Sequence, residues 1–201
     1  MKIFCIGYNK TGTTSLYKAI EDLGFKGCDL REGENLLYSV KANKWDNLYK
    51  FCSTSQLFKD IPFSLPNVWK KLYEMYPNAK FILSERDSAE QWFNSIKNFH
   101  KKGFGLSDDP TWKEVNSIDY VKQGFIAEYM KYTFGKPHKP YDKQSLIESY
   151  ELHNSEIKKF FKDKENFITV NVSNDDDYQR LCKFLNKSVS KDSKFPHHKK
   201  T

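Results

Sequence analysis

Between Gly7 and Thr14 the chain reads GYNKTGTT, with a lysine enclosed by two glycines and two threonines directly after them. The spacing comes close to the phosphate-loop pattern G-x-x-x-x-G-K-S/T, in which the lysine follows the second glycine. Here Thr13 holds that position and Lys10 lies three residues earlier, inside the loop. Two glycines permit a tight wrap, and a helix beginning just beyond them aims free N–H groups at an anion. Thr13 and Thr14 can add hydroxyl donors. A plain strand-to-helix turn with Thr as N-cap would account for the glycines and threonines, but not for the lysine among them. The stretch therefore predicts an anion-binding loop.

Two other segments place reactive side chains just after apolar runs. In FKDIPF, Asp60 precedes Pro62. It can be read as a cap for the next turn, or as a carboxylate facing the anion and available as a general base. In LSERDSAEQWFNS, Arg86 offers a fork of donors suited to a terminal phosphate, and Ser95 offers one more. The plainer alternative pairs Arg86 with Glu85 or Asp87 at the surface. Trp92 reads as a core residue.

These residues need a frame. Lys2 to Ile6 predicts a buried strand, and Leu16, Ala19, Ile20 and Leu23 a helix face that stops at Gly24. Gln56–Phe63, Lys80–Ser84 and Asn166–Val172 predict three more strands. Val68 to Tyr76 is a short helix, and the capping box Ser88 to Gln91 opens a helix carrying Trp92, Ile96 and Phe99. Residues 101–140 are aromatic-rich and helical in character. Leu146, Tyr150, His153, Ile157 and Phe160 mark a long helix, and Tyr178, Leu181, Cys182 and Leu185 a last one. Strands alternating with helices imply an α/β fold with a mostly parallel sheet covered on both faces. In such sheets ligands bind at the carboxyl ends of the strands, where all three segments fall.

With 201 residues and no linker or repeat, the chain is expected to form a single domain over 1–201, ending in a polar tail from about 187. Its net charge of +7 favours an anionic partner. The lysines are spread along the chain, so the expectation is an anion site and not nucleic-acid binding. Cys5, Cys28, Cys52 and Cys182 form no C-x-x-C pair, and His197 and His198 lack partners at ligand spacing. No metal site and no disulfide framework are expected. The opening apolar run is too short for a signal peptide and nothing resembles a membrane span, so a soluble cytoplasmic protein is expected.

Taken together, GYNKTGTTSL, KDIP and AKFILSERDSAEQWFNSI resemble the phosphosulfate loop, the catalytic strand end and the 3′-phosphate segment of the PAPS-dependent sulfotransferases. The final stretch, from VNVSNDDDYQRLCKFLNKS onward, is similar to the end of the bacterial-type members, so the likeness spans most of the chain. It implies a P-loop-type three-layer sandwich with four or five strands. It also implies 3′-phosphoadenosine 5′-phosphosulfate (PAPS) as sulfuryl donor, used without metal. Lys10, Thr11, Gly12, Thr13 and Thr14 would hold the donor's phosphosulfate, and Arg86 with Ser95 its 3′-phosphate. Lys10 would stabilise the leaving group and Asp60 would act as base.

The chain departs from the family pattern in four places. Ser15 stands where many members have a Trp against adenine. The Arg-to-Ser spacing is nine residues where eight is commoner, which leaves Asn94 as the alternative to Ser95. The R-K-G-x-x-G-D clamp of the soluble animal enzymes is missing, and the acceptor side has Asp60 where others use His. The competing readings are a nucleoside or nucleotide kinase, which would want a lysine after Gly12, and a nucleotide- or nucleic-acid-binding module, which would want clustered basic residues. The acceptor pocket is expected from residues 29–55 and 100–140. Neither carries a code that separates glycan, lipid, small phenol or amine, and protein acceptors.

Overall fold

A computed structural model describes residues 1–196 of the chain. Four strands, β1 (Ile3–Cys5), β2 (Leu57–Phe58), β3 (Lys80–Ser84) and β4 (Phe167–Val170), pair in the order β2-β1-β3-β4, all parallel. Nine helices among the described residues surround them: α1 (Thr13–Asp22), α2 (Leu30–Lys41), α3 (Trp45–Cys52), α4 (Val68–Met75), α5 (Ala89–Phe104), α6 (Trp112–Ser117), α7 (Phe125–Phe134), α8 (Lys143–Phe161) and α9 (Asp175–Phe184). The expected α/β class and parallel sheet are both present, with four strands.

Alternation along the strands builds two cores. Ile3, Cys5 and Ile82 face α1 and α9, meeting Leu16, Ile20, Leu181 and Cys182. Phe4, Phe58, Phe81 and Leu83 face the other way, into a larger and strongly aromatic cluster with Phe63, Trp69, Trp92 and Phe161. Phe4 stacks on Phe58 with centroids 5.2 Å apart, and Phe81 lies 5.0 Å from Phe161. Helices thus cover both faces, giving three layers. The four cysteines are buried and unpaired.

Several sequence expectations are corrected. The strand expected over Gln56–Phe63 is only Leu57–Phe58, because Asp60 adopts a left-handed φ of 57° that ends the ladder. α2 and α3 have no counterpart in the sequence reading; α2 is capped by Asp29, whose carboxylate accepts the Glu32 N–H at 2.9 Å. Ser88 does cap α5 by accepting the Gln91 N–H, but the Gln91 side chain returns to Asp87 rather than to Ser88. The buried stripe of α5 runs Trp92, Ile96, His100 at four-residue steps, which leaves Phe99 outside it and 41% exposed. After Asn186 the chain folds back on α9: Phe195 packs on Tyr178, and Gln179 Nε2 donates to the carbonyls of Ser190 and Ser193. His197 and His198 lie outside the described residues. No described helix is long and apolar enough to cross a membrane.

Candidate active site

The carboxyl end of β1 runs into Gly7, where an added Cβ would sit 2.5 Å from the Ser84 carbonyl at the end of β3. Glycine is needed there for the two strand ends to come this close. Thr11 is fully buried; its hydroxyl donates to the Tyr8 carbonyl at 2.7 Å and lies 2.6 Å from Ser84 Oγ, which is left as the donor of that pair. Trp92 Nε1 donates to the Asn9 carbonyl at 3.0 Å, and Arg86 Nε to the Lys10 carbonyl at 2.7 Å. Carbonyls of the loop are therefore tied down from α5 and from the segment after β3. Its N–H groups, from Tyr8 to Ser15, have no partner among the described residues, and Gly12, the N-cap of α1, brings no side-chain cap. Bound carbonyls with free amides are the polarity an anion requires.

Five non-glycine residues among those described have positive φ. Three are asparagines, which tolerate the left-handed region; the other two are Lys10 (φ 72°) and Asp60 (φ 57°). For a lysine this conformation costs about 1–2 kcal/mol, and such strain gathers at functional sites.

The Lys10 ammonium has no salt-bridge partner among the described residues and rests 3.7 Å from the centroid of the Phe99 ring. Partial burial, followed by the Arg86 charge, lowers its pKa, and the Asp60 carboxylate acts in the opposite direction. Lys10, Arg86, Asp60 and Lys59 thus share one electrostatic neighbourhood. Arg86 does not pair with Glu85 or Asp87. Its N–H donates to Tyr150 Oη at 3.1 Å, Glu85 pairs with Lys158, and the terminal guanidinium nitrogens have no partner among the described residues.

Asp60 is not a turn cap, since its carboxylate accepts no backbone N–H. Oδ2 pairs with Lys59 Nζ at 2.8 Å, and Oδ1 is buried without a partner among the described residues. Ser64 joins the two segments by donating its hydroxyl to Asn9 Oδ1 at 3.1 Å. Ser95 is half-buried on α5, one turn before Phe99, and its hydroxyl makes no hydrogen bond among the described residues; Asn94 is exposed. Thr13 is buried and Thr14 exposed at the start of α1. A groove continues from Arg86 past Asp87, Thr169, Asn171 and Asp177 along the ends of β3 and β4.

Residues 29–55 and 100–140 meet one another within electrostatic reach of Asp60. Glu34 of α2 accepts from Tyr120 Oη at 2.9 Å and pairs with Arg31 at 3.2 Å. Burial pushes the Glu34 carboxyl up, the Tyr120 hydrogen bond and Arg31 hold it down, and the Asp60 charge is felt there too. Sequence reading did not single out Lys59, Glu34 or Tyr120, and took Phe99 only as part of an apolar helix face. Only Phe99 had a legible signal, its position one turn beyond Ser95 on the same helix face.

One buried imidazole braces the start of the loop, and a second lies within α5. His153 Nε2 bonds the Ile6 carbonyl at 2.9 Å under the stacked Tyr8 ring, and His100 Nδ1 bonds Tyr141 Oη at 2.8 Å. Burial lowers both imidazoles from 6.5 to about 4. Between those values the unfolded chain binds more protons than the folded one. Stability should therefore fall as pH drops through that window, by up to about 1.4 kcal/mol per pH unit for each imidazole. Urea midpoints from pH 7.5 to 4 check this, and a flat profile would contradict it.

Among the described residues no group of His, Cys, Asp and Glu side chains could hold a metal ion. A family model described as a sulfotransferase domain matches residues 2–201. No curated protein matches the chain.

Proposed function

Because the chain belongs to the sulfotransferase-domain family, we propose that it moves the sulfuryl group of PAPS to a hydroxyl or amine acceptor. The observation that carries this reading is the loop itself: unpartnered amides, a lysine inside the wrap, and a carboxylate close enough to act on that lysine's charge. The donor supplies an SO₃ group on a phosphate, and the bridging oxygen takes up negative charge as that group leaves. The loop amides and the Thr13 and Thr14 hydroxyls fit the phosphosulfate. A left-handed Lys10 sends its ammonium from within the wrap, where it can stabilise the bridging oxygen. A lysine placed after Gly12 would instead suit a longer polyphosphate chain.

Asp60 would take the acceptor proton as the acceptor oxygen or nitrogen bonds to sulfur and the sulfur–bridging-oxygen bond breaks. Lys59, 2.8 Å from Oδ2, would hold that carboxylate in place. Arg86, braced through Nε, has its terminal nitrogens available for the 3′-phosphate, with Ser95 as a second donor.

Calorimetry tests the assignment. Arg86→Ala should weaken binding of 3′,5′-adenosine bisphosphate by tenfold or more, the scale for a charged hydrogen bond of roughly 1.5–3 kcal/mol. Adenosine 5′-phosphate, which lacks the 3′-phosphate, should lose much less. Equal losses would reduce Arg86 to its role as a brace for the Lys10 carbonyl. Failure of wild-type protein to prefer the bisphosphate over ATP with magnesium would remove the donor assignment.

A further inference from the structure

We propose that Phe99 is a positioning residue that acts through Lys10, parking the ammonium on its ring until an anion enters the loop. The inference rests on the role given to Lys10 above and extends it to the state before the donor binds.

Lys10 Nζ lies 3.7 Å from the Phe99 ring centroid, well inside the range of a cation–π contact. The ring is one of a few large apolar side chains left exposed on the described surface, and Lys10 Nζ contacts it without burying it. The charged groups facing the ammonium are Arg86 and Lys59, which repel it, and Asp60, which attracts it from beyond salt-bridge range. His100, next to Phe99, is buried and uncharged above about pH 4. Without an anion, the ring face is thus the favourable contact within reach of a half-buried cation that two other cations push away.

The backbone cannot relieve this arrangement. Arg86 holds the Lys10 carbonyl, Trp92 holds that of Asn9, and Thr11 is locked to Tyr8 and Ser84. The charge can move only by rotation of the lysine stem. Trp92 and Phe99 both belong to α5, so one helix fixes the loop and also fixes where its lysine rests. Leaving the ring weakens anion binding by the strength of the cation–π contact. In return, Lys10 is held on the ring until an anion in the loop draws it in.

NMR of the free protein and of its complex with 3′,5′-adenosine bisphosphate tests this directly. The Lys10 Cε protons should be shifted upfield by the ring in the free protein. They should lose that shift on saturation with the bisphosphate, and should lack it from the outset in Phe99→Leu. Removing the ring should also tighten bisphosphate binding by about two- to fivefold, the scale of an exposed cation–π contact. Phe99→Tyr should restore wild-type affinity. In a Lys10→Asn background, Phe99→Leu should have no effect on binding. Ring shifts that persist in the saturated complex, or unchanged or weaker binding by Phe99→Leu, would overturn the proposal while leaving the sulfotransferase reading intact. Unchanged turnover in Lys10→Asn would remove the catalytic role on which it stands.

Discussion

Replacing Lys10 by alanine should lower turnover by about 10²–10³-fold, the effect of losing one donor aimed at charge that develops in the transition state. Affinity for the bisphosphate should fall far less, because the loop amides and Arg86 remain. Lys10 sits at φ 72°, where alanine is itself strained. Lys10→Asn is the better-matched variant, since asparagine accepts this conformation and removes the charge all the same. Equal losses in both variants would assign the effect to the ammonium, and recovery in the asparagine variant would assign it to loop geometry. Turnover can be followed with radiolabelled donor, after the wild-type protein has been screened against glycan, lipid, phenol and amine acceptors. The Lys10 pKa is already lowered by burial and by Arg86. An anion beside the ammonium raises it again, so on the alkaline side bisphosphate binding should take up a proton and weaken as pH rises. Calorimetry in buffers of different ionisation enthalpy would register that uptake.

Asp60→Asn should reduce turnover by about 10²–10⁴-fold, the range for loss of a general base. Donor affinity should stay near that of the wild type, because the carboxylate touches no part of the anion loop. Asparagine keeps the shape and suits a φ of 57°. It cannot neutralise Lys59, however, whose side chain is only 6% exposed and whose Nζ lies 2.8 Å from Oδ2. Breaking a buried pair by removing one partner costs about 3–5 kcal/mol when both groups are fully buried. The cost should be smaller here, since 22% of the Asp60 side chain is exposed. A melting curve must therefore accompany the kinetics, with the assay run well below the midpoint. The double variant Lys59→Met with Asp60→Asn removes the stranded ammonium. If it regains stability but not turnover, the carboxylate is the base. If Asp60→Asn remains active within a few-fold, the base lies elsewhere, and Glu34, a carboxylate that feels the Asp60 charge, is the next candidate.

Much of this arrangement was legible in the sequence, for identifiable reasons. Buried parallel strands read as short apolar runs, so β1 and β3 could be placed, the latter to the residue. The strand-to-helix loop was legible because glycines and threonines at that spacing answer a local need for a tight turn into a helix. Position after a strand was enough to mark Arg86, because in a parallel sheet every strand end of the same sense opens on one rim.

Tertiary structure decided the rest. α2 and α3 lack strong glycine or proline punctuation between Leu30 and Cys52, and their place on the fold comes from packing Leu37, Val40, Leu48 and Phe51 into the aromatic face of the sheet. Asp60 could equally have been a turn cap. Its ion pair with Lys59, and a carboxylate that accepts no backbone N–H among the described residues, speak against the cap, and both depend on where the chain turns after β2. Arg86 could have been a surface ion-pair partner; its bond to the Lys10 carbonyl joins residues 76 apart in sequence. Phe99 looked like core because helical periodicity assigns a face without saying how far the neighbouring layer extends over it. The spacing of side chains along one element is a local property, written in the sequence. Which charges come to face one another across elements is set by how the layers pack, and no local pattern encodes it.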